Sequence, residues 1–193
     1  MQIIRGMIML QAAEFPDNKE LEKVVKMTED RIQAISLVHQ MLFKSQNLSH
    51  ISTGDYIREL CPLLFQSFGI TSKRIALDLR IEEQEVLLDT AIPFGLILNE
   101  LLTNSLKHGF PDGQQGVIAI TLETLNATTM ILHYSDTGIG VSDDFDFRTR
   151  NTLGLKLIYS IGEEQMQGKV EMDGKAGYRC TIEFPKNMYQ ERV

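Results

Sequence analysis

Residues 99–108 read Asn99-Glu100-Leu101-Leu102-Thr103-Asn104-Ser105-Leu106-Lys107-His108, and residues 136–140 read Asp136-Thr137-Gly138-Ile139-Gly140. On a helix, Glu100, Asn104, Lys107 and His108 fall at i, i+4, i+7 and i+8. That spacing puts a carboxylate, a carboxamide, a cation and an imidazole on one face, with Asn99 beside it. The rest of the segment is apolar: Ile92, Leu96, Ile97, Leu101 and Leu102. A solvated polar face would account for this pattern by itself. The second stretch ends a strand at Asp136 and breaks into two glycines flanking Ile139. A carboxylate at a strand end accepts hydrogen bonds from an amine. Glycines there let backbone approach a ligand and let a loop hinge. Asp-x-Gly-x-Gly alone is common in turns, so the weight lies in the pairing of the two stretches.

A third element, Asn151-Thr152-Leu153-Gly154-Leu155, leads into a helix. Backbone N–H groups at a helix start form an anion site, and a glycine there admits a phosphate. Thr152 or Asn151 also serves as a plain N-cap in this position, and the two roles are compatible.

Outward from these stretches the chain divides in two. Residues 1–48 read as two helices, the first to about Ala13 with Ile4, Ile8 and Gln11 on one stripe, broken by Phe15-Pro16-Asp17-Asn18. The second runs from about Lys19 to Lys44. Leu21, Val25, Thr28, Ile32, Ile35, His39 and Leu42 are spaced 4-3-4-3-4-3 along it, a heptad seam. Val24, Val38 and Met41 widen the apolar face beyond what one hairpin partner covers, so a homodimeric four-helix bundle through residues 1–48 is expected. Ser49–Gly54 reads as a polar linker. A helix from Thr53 through Phe68 follows, then a strand at 74–81 and a helix from about Thr90 to His108. Strands at 117–124 and 129–135, a mobile loop at 141–151, a helix from Leu153 to Met166, and strands at 169–173 and 178–184 complete the chain. The fold class is α+β: a helical hairpin at 1–50, then at 51–193 an α/β sandwich, its mixed sheet bearing helices on one face.

Among 193 residues, 43% are apolar and 23% charged, enough for a packed core. The net charge of −7 argues against general binding to nucleic acid or anionic membrane. No apolar run approaches the ~20 residues that span a bilayer, and no cleavable signal pattern opens the chain, so membrane insertion is not expected and a cytoplasmic location is. Cys61 and Cys180 lie far apart in apolar stretches and read as reduced, buried thiols.

The three elements, in this order and spacing, resemble the ATP-binding domain shared by sensor histidine kinases, gyrase-type ATPases and Hsp90-type chaperones (the GHKL or Bergerat fold). The resemblance is to histidine kinases with the second type of dimerisation domain (HisKA_2), and it covers nearly the whole chain. Gln2-Ile3-Ile4 through Leu10-Gln11 resembles the end of that family's phospho-acceptor helix. Arg31-Ile32-Gln33-Ala34-Ile35 through Val38-His39-Gln40-Met41-Leu42 resembles its second helix. Leu98 to Phe110 is similar to the N box, Asp136 to Gly140 to the G1 box, Thr152 to Leu155 to the G2 box, and Gly177 through Pro185 to the closing strand.

The resemblance implies roles. Asn104 would hold Mg²⁺ on the phosphates of ATP, with Asn99 lining the site. Glu100 would act as a base or polarise the acceptor or a water. Lys107 and His108 would lie near phosphates or ribose, and Asp136 would bind the adenine amine. Gly138 and Gly140 would shape and hinge a lid at 141–152. Thr152, Leu153, Gly154 and Leu155 would form the phosphate end, with Gly154 and Leu155 in backbone contact. The family often has Thr after the glycine of the last turn; here it is Tyr178, with Thr181 nearby as a substitute contact. The implied activity is transfer of the ATP γ-phosphoryl group to a histidine and onward to a response regulator receiver domain. The family's acceptor histidine precedes the glutamine matched to Gln2, so the acceptor is expected upstream of this chain. Two other classes share the ATP domain: a non-catalytic dimeric or phosphotransfer module, and an anti-sigma-type serine kinase. Intact Asn104 and Asp136 weigh against the first, and the hairpin at 1–48 against the second. His39, on the seam, is expected to be structural and to face the bundle interior. His50 and His133 have no metal-ligand neighbour at short spacing.

Overall fold

The computed structural model describes residues 2–15, 17–44, 50–142, 144–150 and 152–187. Its elements in chain order are α1 (Gln2–Ala13), α2 (Lys19–Lys44), β1 (His50–Ser52), α3 (Thr53–Ser67), β2 (Ile75–Ile81), β3 (Glu85–Leu87), α4 (Leu88–Asn104), β4 (Gly116–Asn126), β5 (Thr129–Asp136), α5 (Leu153–Tyr159), β6 (Lys169–Asp173) and β7 (Arg179–Pro185). Local chemistry sets several of these boundaries. The Leu21 N–H donates to Asn18 Oδ1 at 3.0 Å and starts α2. The Asp55 N–H donates to Ser52 Oγ at 3.2 Å and starts α3, which ends before Gly69 in the left-handed conformation (φ 65°). Pro16, in the expected break after α1, and Ser49 lie outside the described residues, as does the side chain of Ile4 on the expected α1 stripe.

Strands β2-β4-β5-β7-β6 form one sheet, with β2 parallel to β4 and the other pairs antiparallel. Period-two alternation sends Ile118, Ile120 and Leu122 of β4, Met130, Leu132 and Tyr134 of β5, and Cys180, Ile182 and Phe184 of β7 to one face. Phe94, Ile97, Leu98, Leu101 and Leu102 of α4 join them in the core, with Ile57, Leu60, Cys61 and Leu64 of α3 and Ile158 of α5. Each large side chain so buried contributes about 1.5–3 kcal/mol before the entropy of ordering it. Burial pushes the thiols of Cys61 and Cys180 up to about 12, so both are neutral.

Three expectations need correction. The Ser49–Gly54 segment is not simply a linker: His50–Ser52 is a strand paired antiparallel with Glu85–Leu87. Helix α4 does not continue regularly to His108. It ends at Asn104, and Ser105–Gly109 widens into a π-helical turn that re-aims the last polar residues. The segment after Leu153 behaves alike, passing from α5 into a π-helical stretch at Ser160–Gln165.

Helix α2 has two faces with different work. Asp30, Ala34, Leu37, Val38 and Leu42 are buried against the rest of the chain, mainly α3 and α4. Of the seam residues, Leu42 is thus buried within the single chain, Leu21, Val25, Thr28, Ile32 and Ile35 are half-buried, and His39 is exposed. The α2 contact is specific: Tyr56 Oη donates to Ala34 O at 3.1 Å, and Ser67 Oγ donates to Asp30 Oδ1 at 2.9 Å. Tyr56→Phe is expected to lower stability by about 0.5–1.5 kcal/mol, read as a fall in the denaturant midpoint at constant slope.

Candidate functional site

The end of α4, the π-helical turn, the end of β5 and the start of α5 meet around one cleft of about 420 Å³. Of the residues expected at a site, Asn104, Lys107, His108, Asp136, Gly140, Thr152, Leu153, Gly154 and Leu155 line it. Ser105 and Gly109 of the expected N box, Val141, Phe145 and Phe147 of the expected lid, and Tyr178 join them, and Met27 of α2 does so without having been expected. Asn151, the alternative cap of α5, lies outside the described residues; Thr152 Oγ1 accepts from the Leu155 N–H at 3.4 Å.

Asp136 is the most constrained group. Its carboxylate is buried, and three donors fix it: Ser105 Oγ to Oδ2, the Gly138 N–H to Oδ1 at 2.8 Å, and the Tyr178 N–H to Oδ1 at 3.0 Å. Tyr134 Oη in turn donates to Ser105 Oγ at 2.8 Å, extending the network into the core. Glycines surround the carboxylate because backbone comes too close for side chains. A Cβ at Gly138 would stand 2.4 Å from Gly109 O, and one at Gly177 would stand 2.0 Å from Asp136 O. Gly138 thus shapes the turn without lining the cleft.

The far end of the cleft holds Asn104 under Gly154. A Cβ at Gly154 would lie 2.9 Å from Glu100 Oε2 and 3.7 Å from Asn104 Oδ1, so the glycine lets the start of α5 come close over both side chains. Glu100 itself is 2% exposed and does not line the cleft. Arg31 of α2 grips it through Nε (2.7 Å to Oε1) and Nη2 (3.0 Å to Oε2). Asn99, expected to line the site, does not. It is buried, and its Nδ2 donates to Glu100 Oε1 at 3.3 Å. Thr181 is likewise displaced. Alternation along β7 sends Cys180 and Ile182 inward and Thr181 to the outer sheet face, where it meets His133 Nδ1 at 3.2 Å. Tyr178 takes the place next to Asp136, its ring 6.1 Å from that of Tyr134.

Lys107 lines the cleft, but its Nζ stands 5.5 Å above the Phe68 ring. Burial holds this ammonium below the ordinary lysine range, opposed by Asp30 and Glu100. Burial, helped by Lys107, also holds the pKa of His108 below the ordinary imidazole range.

The loop expected to be a lid carries no helix or strand among its described residues, yet it is anchored. Arg148 forks onto Glu163 at 2.7 and 3.2 Å and lies 4.6 Å from the Tyr159 ring centre. Phe147 packs between Phe145 (4.9 Å) and Tyr178 (5.6 Å) at the cleft wall. The arrangement offers a fixed acceptor in an apolar, aromatic slot at one end and the Asn104 amide beside the start of α5 at the other. That suits a flat base carrying an amine joined to an anionic tail.

Comparison with known proteins bears on the family and the fold. Residues 1–68 match a family model described as histidine kinase, and residues 89–188 match one described as histidine kinase-, DNA gyrase B-, and HSP90-like ATPase. Sensor histidine kinase PdtaS of Mycobacterium tuberculosis is 22% identical over 174 residues, 89% of this chain and 34% of that protein. Blue-light-activated histidine kinase 2 of Erythrobacter litoralis is 27% identical over 87 residues, 45% of this chain and 25% of that protein. The chain thus spans about a third or less of the length of these relatives. A solved histidine kinase domain of the Erythrobacter litoralis EL346 blue-light activated kinase shares the fold, with a TM-score of 0.73 at 21% identity, covering 95% of this chain and 84% of that one. The catalytic domain of histidine kinase ThkA shares it at a TM-score of 0.60 and 22% identity, over 72% of this chain and 96% of that one.

Proposed function

We propose, for a chain that belongs to the histidine kinase-, DNA gyrase B- and HSP90-like ATPase family, that residues 1–193 are the dimerisation and ATP-binding core of a two-component sensor histidine kinase. The observation that carries this reading is the buried Asp136 carboxylate, held by three donors at the mouth of an aromatic slot. Asp136 accepts from the exocyclic amine of adenine. Phe145, Phe147 and Tyr178 flank the base. The start of α5, from Thr152 to Leu155, faces the phosphates, and Gly140 hinges the lid that carries Phe145 and Phe147.

The Asn104 end of the cleft suits Mg²⁺ held mainly by phosphates. Among the described residues no three His, Cys, Asp or Glu side chains converge on a metal-sized site. Asn104 offers one neutral oxygen beside Gly154, and Mg²⁺ takes few protein ligands when phosphates and water supply the rest. When bound, Mg²⁺ would neutralise charge on the phosphates. Asn104 orients the tail, Lys107 and His108 border it, and Glu100 is the base that takes a proton from the attacking group. Phosphoryl transfer goes to a histidine and then to the aspartate of a response regulator receiver domain. The seam on α2 pairs two copies through residues 1–48, with 51–193 as the catalytic unit.

Titration calorimetry tests the reading. ATP is expected to bind with a Kd between about 1 μM and 1 mM. Mg²⁺ is expected to tighten binding in the natural chain and to lose that effect, about tenfold, in Asn104→Ala. No ATP binding by the folded chain would overturn the assignment, and an undiminished Mg²⁺ effect in Asn104→Ala would remove Asn104 from the metal.

A further inference from the structure

We propose that Arg31 masks Glu100 and thereby keeps bound ATP from being hydrolysed; the inference rests on the reading of the cleft as an ATP site. Glu100 and Asn104 both pack beneath Gly154, and Asn104 and Gly154 line the cleft, so the covered Glu100 carboxylate lies directly behind its phosphate end. Arg31 takes one lone pair of each oxygen, Asn99 adds a second donor to Oε1, and the side chain is 2% exposed. The guanidinium clamped on both oxygens opposes the transfer of a proton from water to this carboxylate.

The pair is not explained by adhesion between α2 and the rest of the chain. Replacing a buried ion pair by apolar residues is often neutral or stabilising, so the ions add little holding power. Apolar contacts of Ala34, Leu37, Val38 and Leu42, with the Tyr56 and Asp30 hydrogen bonds, already secure that helix. What the pair does uniquely is tie the state of one carboxylate behind the cleft to the position of α2. Arg31 lies outside the nucleotide cleft, on the helix whose other face carries the heptad seam, so a movement of α2 uncovers Glu100. A kinase must hold ATP intact until its acceptor arrives, and an exposed carboxylate beside the γ-phosphate works against that.

Unmasked, Glu100 takes a proton from a water whose oxygen bonds to the γ-phosphorus. The bond from that phosphorus to the β–γ bridging oxygen breaks, giving ADP and inorganic phosphate, and Glu100 returns its proton to solvent. The test uses the full chain with Mg-ATP, measuring ATP affinity by calorimetry and phosphate release in parallel. Arg31→Gln is expected to bind ATP like the natural chain and to release phosphate about 10–100-fold faster. The gain is expected to vanish in Arg31→Gln/Glu100→Gln, a dependence that a merely structural role for Arg31 would not produce. Arg31→Gln binding ATP normally without faster release overturns the mask and leaves the ATP site standing. Absent ATP binding by the natural chain overturns the site itself. Should Arg31→Gln not fold, Arg31→Lys carries the test, because it keeps a cation but cannot grip both oxygens. Release above the natural rate is then expected, and release at that rate overturns the proposal.

Discussion

Asp136→Ala is expected to lower ATP affinity by about 100-fold or more while leaving a folded chain. A hydrogen bond to a charged acceptor is worth about 1.5–3 kcal/mol, which alone is about 10–150-fold in affinity. The substitution also removes the partner of the Gly138 and Tyr178 N–H groups and of Ser105 Oγ. The wall that should meet the base then loses its fixed position. Ser105 and Tyr178 line the cleft, where water can reach their freed donors, so the cost in stability is about 1–3 kcal/mol rather than collapse. Asp136→Asn separates the two effects. It keeps the volume and one acceptor but sets an NH₂ group among donors, so affinity falls while packing is preserved. Calorimetry with a thermal melt of each variant decides the matter. Natural affinity in a folded Asp136→Ala chain would show that the amine is read elsewhere.

The parts of this site that were legible in the sequence are local ones. Asn104 follows from a helix face, Asp136 from a strand end, and Thr152 to Leu155 from a helix start, each within one short window. The helix face survives the π-helical turn, since Lys107 and His108 still reach the cleft beside Asn104, whereas Glu100, inside the regular helix, is covered by Arg31 from α2. Thr181 is near the last turn in sequence, but the alternation of Cys180, Ile182 and Phe184 puts it on the other sheet face. Other features lie beyond any window. Ser105 meets Asp136 across 31 residues and Tyr178 meets Asp136 across 42, while Arg31 meets Glu100 across 69. The heptad seam of α2 was readable because it is periodic. The second face of that helix, starting at Asp30, mixes polar and apolar residues and becomes visible only once α3 and α4 pack against it. A three-residue strand such as His50–Ser52 carries no period at all and exists because Glu85–Leu87 is there to pair with it.

Gly177→Ala is expected to destabilise the chain by about 2–5 kcal/mol and to weaken ATP binding with it. Gly177 has φ 81°, where an L residue pays about 1–2 kcal/mol before any contact is counted. Its Cβ would then lie 2.0 Å from Asp136 O and 3.0 Å from Asp136 C, both backbone atoms that no rotamer change can move aside. Relief requires shifting either the turn between β6 and β7 or the end of β5, at the further cost of overpacking, about 1–3 kcal/mol. The turn is tied to the site on both sides. The Tyr178 N–H donates to Asp136 Oδ1 at 3.0 Å, and the Asp136 N–H donates to Tyr178 O at 2.9 Å. A displaced Gly177 therefore drags the carboxylate out of register with the base. Gly113→Ala is the matched control. That glycine also has positive φ (79°), but no atom lies within 4 Å of its Cβ position, so only the conformational cost applies. Chemical denaturation should rank Gly177→Ala well below Gly113→Ala, and calorimetry should show the affinity loss in the former alone. Equal stabilities would mean that backbone crowding around Asp136 is not what fixes the carboxylate.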